Sequence, residues 1–195
     1  MISEDVKQTV LDGRTSIVIS ERTFHITKLY EPLQNSADHV IILKGKGTAK
    51  EKRERLAIIQ TLPENESAIL LAAGKYIDEG FDFSRLDTLF LTMPISWSGT
   101  LAQYAERLHR EHDGKASAVI YDYADLHAPM FENMYKKRLR GYAQLGYTLG
   151  AQQQKEIDFQ SIYSKEKYVK DLILDIVSTR RSLVICGGYY STVLV

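Results

Sequence analysis

The sequence predicts an α/β fold, a parallel sheet flanked by helices, on three observations. Short apolar runs alternate with longer segments of helical period. Most of the runs carry Val, Ile and Leu at successive positions, as strands covered on both faces must. Connections between the segments are short, which favours one compact sheet of βα repeats.

The elements follow in order. SEDVKQTVLDG (3–13) opens with Ser3 and two acids and stops at Gly13, the pattern of a capped helix. SIVIS (16–20) is the first strand candidate, followed by a helix over 23–34. HVIILK (39–44) is the second strand, and AKEKRERLAIIQT (49–61) is a helix with early charges, late apolar residues and Pro63 as its stop. SAILLAA (67–73) and TLFLTMP (88–94) are the next strands. A helix over 99–112, the strand ASAVIYDY (116–123) and a helix over 129–145 complete the series. After Gly150 the composition changes: 151–163 reads as a polar linker, 164–181 as a helix and SLVICG (182–187) as a strand. The segment 164–195 reads as a helix–strand extension, the opening of a second domain; the alternative is that its strand extends the first sheet.

Composition narrows the function classes. Apolar residues make up 44% of the chain, which excludes disorder as the main state. Lys plus Arg equals Asp plus Glu at 25 each, so polyanion binding must come from local patches. The single cysteine, Cys186, excludes an internal disulfide and a multi-cysteine metal site. No apolar run approaches the ~20 residues of a membrane span, and MISEDVKQ lacks signal-peptide character. A cytoplasmic protein with no membrane partner and no metal site is the expectation.

Three segments are expected at the strand ends where open α/β sheets place ligands. In SERTFHI (20–26), a Ser or Thr can cap a helix whose free N–H groups attract phosphate, and Arg22 adds charge. In AAGKYIDEGFD (72–82), two glycines allow close backbone approach, and Asp82 can accept bonds from a sugar hydroxyl. In QYAERLHR (103–110), Gln103, Arg107 and Arg110 are spaced to share one helix face, where two guanidiniums can neutralise a phosphoryl group in transfer. Each also has an ordinary structural reading, as cap, tight turn or solvated face.

Read in order, these segments with LDTLFLTMPISWSGT and AVIYDYAD resemble the C-terminal RecA-like (P-loop NTPase-like) lobe of a superfamily two DEAD/DEAH-like helicase. The restriction-enzyme-subunit-related branch is the nearest in pattern, and the resemblance covers residues 14–147 of a domain spanning 1–150. It implies that Arg107 and Arg110 are the motif VI arginines that reach the γ-phosphate of ATP, and that Gln103 opens that motif. Gly80 and Asp82 match the motif V Gly-x-Asp near the nucleotide. Gly74 and Lys75 match the motif V turn near the nucleic-acid backbone, while Ser20, Arg22 and Thr23 match motif IV. One departure stands out: the glycine usual before the first arginine is Glu106 here.

The resemblance implies the C-terminal half of an ATP-dependent helicase or translocase, with ATP and Mg²⁺ as cofactors and a DNA or RNA backbone as partner. No G-x-x-x-x-G-K-[ST] and no DExD or DExH occurs in the sequence. Those parts belong to a first RecA-like lobe, so this chain is not expected to hydrolyse ATP by itself. The alternative function is a non-catalytic nucleic-acid- or protein-binding module derived from such a lobe. IYSKEKYVKDLILDIVSTRRSLVICGGYYS resembles the start of a phospholipase D-like domain, without its H-x-K motif. The basic stretches LKGKGTAKEKRER (43–55) and YKKRLRGY (135–142) suit either a phosphate backbone or solvated helix faces. His109 and His112 lack a third ligand and are expected in solvent.

Overall fold

A computed structural model describes residues 1–44, 49–73, 83–93, 95–96, 99–124, 129–148, 183–186 and 191–194. The chain divides into two compact units, Met1–Met93 with Glu106–Lys115 and Pro94–Ala105 with Ala116–Val195.

The first unit is built on four parallel strands, β1 (Ser16–Ser20), β2 (His39–Lys44), β3 (Ala68–Ala73) and β4 (Thr88–Leu91), in the order β2-β3-β1-β4. Every residue of β1, β3 and β4 is buried, as their unbroken apolar runs require of strands covered on both faces. Helix α1 (Ile2–Leu11) packs on β1 and on α2 (Thr23–Leu33), and α2 contacts β1, β2 and β3. Helix α3 (Ala49–Gln60) joins β2 to β3. The core is Val6, Val18, Ile26, Leu33, Ile59, Leu70 and Phe90, all within 1% of full burial. Two hydroxyls share that interior: Thr9 Oγ1 lies 2.9 Å from Ser16 Oγ and donates to the Val6 carbonyl at 2.8 Å.

The second unit carries β5 (Val119–Tyr123), α5 (Pro129–Gln144), β6 (Leu183–Cys186) and β7 (Ser191–Leu194). Strand β7 pairs antiparallel with β5, and β6 pairs antiparallel with β7. The expected strand SLVICG is β6, which lies beside β7. The expected helix over 164–181 and the linker 151–163 lie outside the described residues. Helix α4 (Gly99–Arg107) runs from the second unit into the first.

The helix ends refine the sequence reading. Helix α1 is capped by Met1 rather than Ser3, without a side-chain cap bond, because its first turn begins at Ile2. Its other end closes as expected at Gly13. There Arg14 N–H reaches the Thr9 carbonyl and Gly13 N–H the Val10 carbonyl, and the glycine φ of +74° completes a Schellman turn. Helix α5 ends the same way at Gly146, φ +84°, with Tyr147 packed edge-on against Tyr142 at 6.2 Å between ring centroids.

Candidate functional site

The strand order brings the carboxyl ends of β1 and β4 side by side, the edge at which open α/β sheets place their ligands. Beyond β1 the chain turns through Ser20, Glu21 and Arg22 into α2. Beyond β4, Thr92 N–H and Oγ1 both donate to the Ile19 carbonyl, at 3.2 and 2.9 Å. Glu21 N–H lies 2.7 Å from Met93 Sδ.

Within this turn the predicted residues differ in accessibility. Ser20 is buried, its Oγ 3.0 Å from His25 Nδ1 and 3.4 Å from the Arg22 amide, which donates to it. Its hydroxyl thus fixes the turn and does not face solvent. Arg22 is the N-cap of α2, extended at φ −97°, and makes no side-chain cap bond; Thr23 begins the helix. Arg22 and Thr23 are exposed. Burial, then the neighbouring Arg22 charge, lowers the pKa of His25, so its ring stays neutral as a partner for Ser20.

Sequence reasoning passed over Phe24, which is 73% exposed beside Arg22. The Lys28 ammonium lies 5.9 Å from its ring centroid and 3.6 Å from Glu31. The signal was the aromatic inside SERTFHI, at a position too polar on both sides to be core.

The arginine segment is rearranged relative to expectation. Gln103 and Arg107 lie one turn apart on α4, but α4 ends at Arg107, so Arg110 does not share a helix face with them. The chain continues in a tighter turn, with His109 N–H to the Glu106 carbonyl at 3.0 Å and Arg110 N–H to the Arg107 carbonyl at 3.3 Å. Gln103, Glu106 and Arg110 are exposed, and Arg107 is half-buried.

The Arg110 carbonyl accepts from Lys115 Nζ at 3.0 Å, and the same ammonium donates to the Ser84 carbonyl at 3.2 Å. Ser84 precedes β4, whose first residue Thr88 is paired with Ser16 at the start of β1. The Arg110 backbone therefore sits at the amino side of the sheet, whereas Ser20 closes its carboxyl side. The two are separated by the length of β1, roughly 15 Å at ~3.3 Å per residue. The structure does not bring the Ser20 turn and the Arg110 turn to one edge of the sheet.

His109 and His112 also differ from expectation. Both follow α4, and neither is a solvated helix residue: His109 is half-buried, and His112 Nδ1 lies 3.3 Å from Ser84 Oγ. Among the described residues no cluster of His, Cys, Asp and Glu could hold a metal ion. No described helix is long and apolar enough to cross a membrane. Gly74, Lys75, Gly80 and Asp82 lie outside the described residues.

No family model and no curated protein matches the chain. Solved structures do. T4 UvsW superposes with a TM-score of 0.57 at 19% identity, over 73% of this chain and 31% of that one. The fold is that of a RecA-like helicase lobe. The C-terminal domain of S. cerevisiae Dbp5, solved bound to Gle1 and IP6, gives 0.51 at 14% identity over 72% of this chain and 79% of that one. The chain spans about a third of the length of T4 UvsW.

Proposed function

We propose that this chain is the C-terminal half of an ATP-dependent nucleic-acid helicase or translocase. The observation that carries the reading is the conjunction of a RecA-like lobe fold with the QYAERLHR segment, whose Arg107 closes α4 and whose Arg110 is exposed beyond it. Two guanidiniums suit one task in nucleotide chemistry, neutralising phosphoryl charge held elsewhere. The phosphate cradle and the Mg²⁺ ligands would come from a first RecA-like lobe. Gly80 and Asp82 would stand near the nucleotide, and Gln103 one turn from Arg107 on α4. At the carboxyl edge, Arg22 and Thr23 with Gly74 and Lys75 would follow a DNA or RNA backbone. Ser20 would shape that edge from within. A cytoplasmic location accords with this role.

Phe24 adds a second kind of contact there. Base stacking on an exposed aromatic is sequence-tolerant, because every base presents a π face. The restriction-related branch and a phospholipase D-like continuation belong to the same proposal. The departure at Glu106 favours a second reading, a binding module that has lost turnover, since a carboxylate beside Arg107 opposes phosphate.

The edge site is tested by fluorescence anisotropy of the purified chain with labelled single-stranded oligonucleotides over a salt series. Affinity should fall with salt and be indifferent to sequence, and Arg22→Ala should reduce the slope by about one. Sequence-selective binding with a flat salt dependence would contradict it.

A further inference from the structure

We propose that Tyr147 is a positioning residue for Arg107, its buried hydroxyl capping the last turn of α4. This role rests on the proposed function, in which Arg107 is a phosphate-facing finger. In a helix that ran on, the His109 N–H would donate to the Ala105 carbonyl. Here it donates to the Glu106 carbonyl at 3.0 Å, and the Arg110 N–H donates to the Arg107 carbonyl at 3.3 Å. The Ala105 carbonyl instead accepts from Tyr147 Oη at 3.1 Å, in an interior where Ala105 is fully buried and Tyr147 is 3% exposed. Buried carbonyls at a helix end need a partner from outside the helix. A side chain 42 residues further along the chain thus takes the acceptor that another helical turn would have used, and α4 ends at Arg107.

Tyr147 is itself held in place. Its N–H donates to the Tyr142 carbonyl at 3.1 Å as α5 closes, and its ring stands edge-on to Tyr142. Tyr142 Oη donates to Asp122, whose carboxylate is gripped by Arg138, and Arg138 Nη1 donates to the Ile95 carbonyl on the approach to α4. One buried network therefore holds the chain before α4 through Arg138 and the end of α4 through Tyr147. The helix needs that hold, because nine residues opening on Gly99 are too few to be a stable helix alone. Leu101, Tyr104 and Leu108 bury its apolar side, but apolar burial is non-directional, whereas a hydrogen bond restricts both distance and angle. Arg107 lies two residues beyond Ala105, about 3 Å along the axis at ~1.5 Å per residue, so a shift of that carbonyl is carried to the guanidinium.

Tyr147→Phe removes one oxygen and keeps the ring, so it tests the cap without opening a cavity. In the purified chain, NMR-detected hydrogen exchange should be about fivefold faster at the Arg107, Leu108, His109 and Arg110 amides, the loss of one hydrogen bond. The amides of β1 and β3 should be unchanged, which is the folding control. Unchanged protection after α4 would overturn the cap. In the two-lobe protein, Tyr147→Phe should lower kcat by ~10–100-fold with little change in KM for ATP, the cost of a finger displaced by about 1 Å. It should lower the residual rate of Arg107→Ala no further, because the hydroxyl acts through that guanidinium. An unchanged kcat, or an equal loss in both backgrounds, would overturn the positioning role. Undiminished turnover in Arg107→Ala would instead overturn the finger reading on which that role rests.

Discussion

Arg138 shows how little residue type alone says about a basic run. It sits in YKKRLRGY among exposed Lys137 and Arg140, yet it is fully buried in the second unit. Its Nε and Nη2 grip the two Asp122 oxygens at 2.7 and 2.8 Å, Nη1 donates to the Ile95 carbonyl, and Tyr142 Oη donates to Asp122 Oδ2 at 3.2 Å. This residue cannot hold a phosphate backbone. Asp122→Ala should cost about 3–5 kcal/mol in urea denaturation, because it strands a buried guanidinium. Tyr142→Phe should cost only about 1 kcal/mol, one hydrogen bond. A loss under 1 kcal/mol in Asp122→Ala would refute the buried pair. Phe24 is the opposite case, an apolar ring left in water. Phe24→Ala should weaken oligonucleotide binding about tenfold at every salt concentration, since stacking is worth ~1–3 kcal/mol per base and releases no counterions. A change of slope instead of a parallel offset would show that the ring acts through charge.

At the scale of elements, the strands were the most legible part of the sequence. SIVIS and HVIILK match β1 and β2 to the residue, because both are apolar runs with little competing reading, although β1 is fully buried and the edge strand β2 only half-buried. Helix ends were less legible. The expectation for 99–112 overshot α4 by several residues, since Leu108 continues the apolar period while the backbone has already tightened into 3₁₀-like bonds. That overshoot placed Arg110 on a shared face it does not occupy. The turn after β1 falls where the sequence places it, but spacing could not distinguish inward Ser20 from outward Arg22, as both flank the same strand end. Gly13 was legible as a stop because only its positive φ closes α1. No atom lies within 4 Å of a Cβ added there, so Gly13→Ala should cost about 1 kcal/mol from backbone strain alone. His25 offers a pH test of its turn. Its folded pKa is depressed below 6.5, so its contribution to stability is complete above that value and is lost as pH falls toward the folded pKa. Arg22→Ala should move the imidazole midpoint back toward 6.5 in an NMR titration, though not all the way, because burial is the larger cause.

For the molecule as a whole, the proposed function makes this chain one half of a motor. The fold supplies a lobe, Arg107 and Arg110 supply positive charge, and nothing in the sequence supplies a triphosphate cradle. The isolated chain should therefore bind ATP weakly by calorimetry and show no turnover. Under the proposed function, the arginines joined to a first lobe would meet charge that develops only in phosphoryl transfer, where such fingers are worth ~10³–10⁵ in rate. Lysine at position 107 should fail nearly as badly, since it lacks the planar fork. Glu106→Gly should raise turnover if the carboxylate competes for Arg107. The most direct test is steady-state ATPase of the reconstituted two-lobe protein carrying Arg107→Ala or Arg110→Ala, with circular dichroism as the folding control. Loss of nearly all turnover with an unchanged spectrum is the predicted result, and full activity in both variants would contradict it.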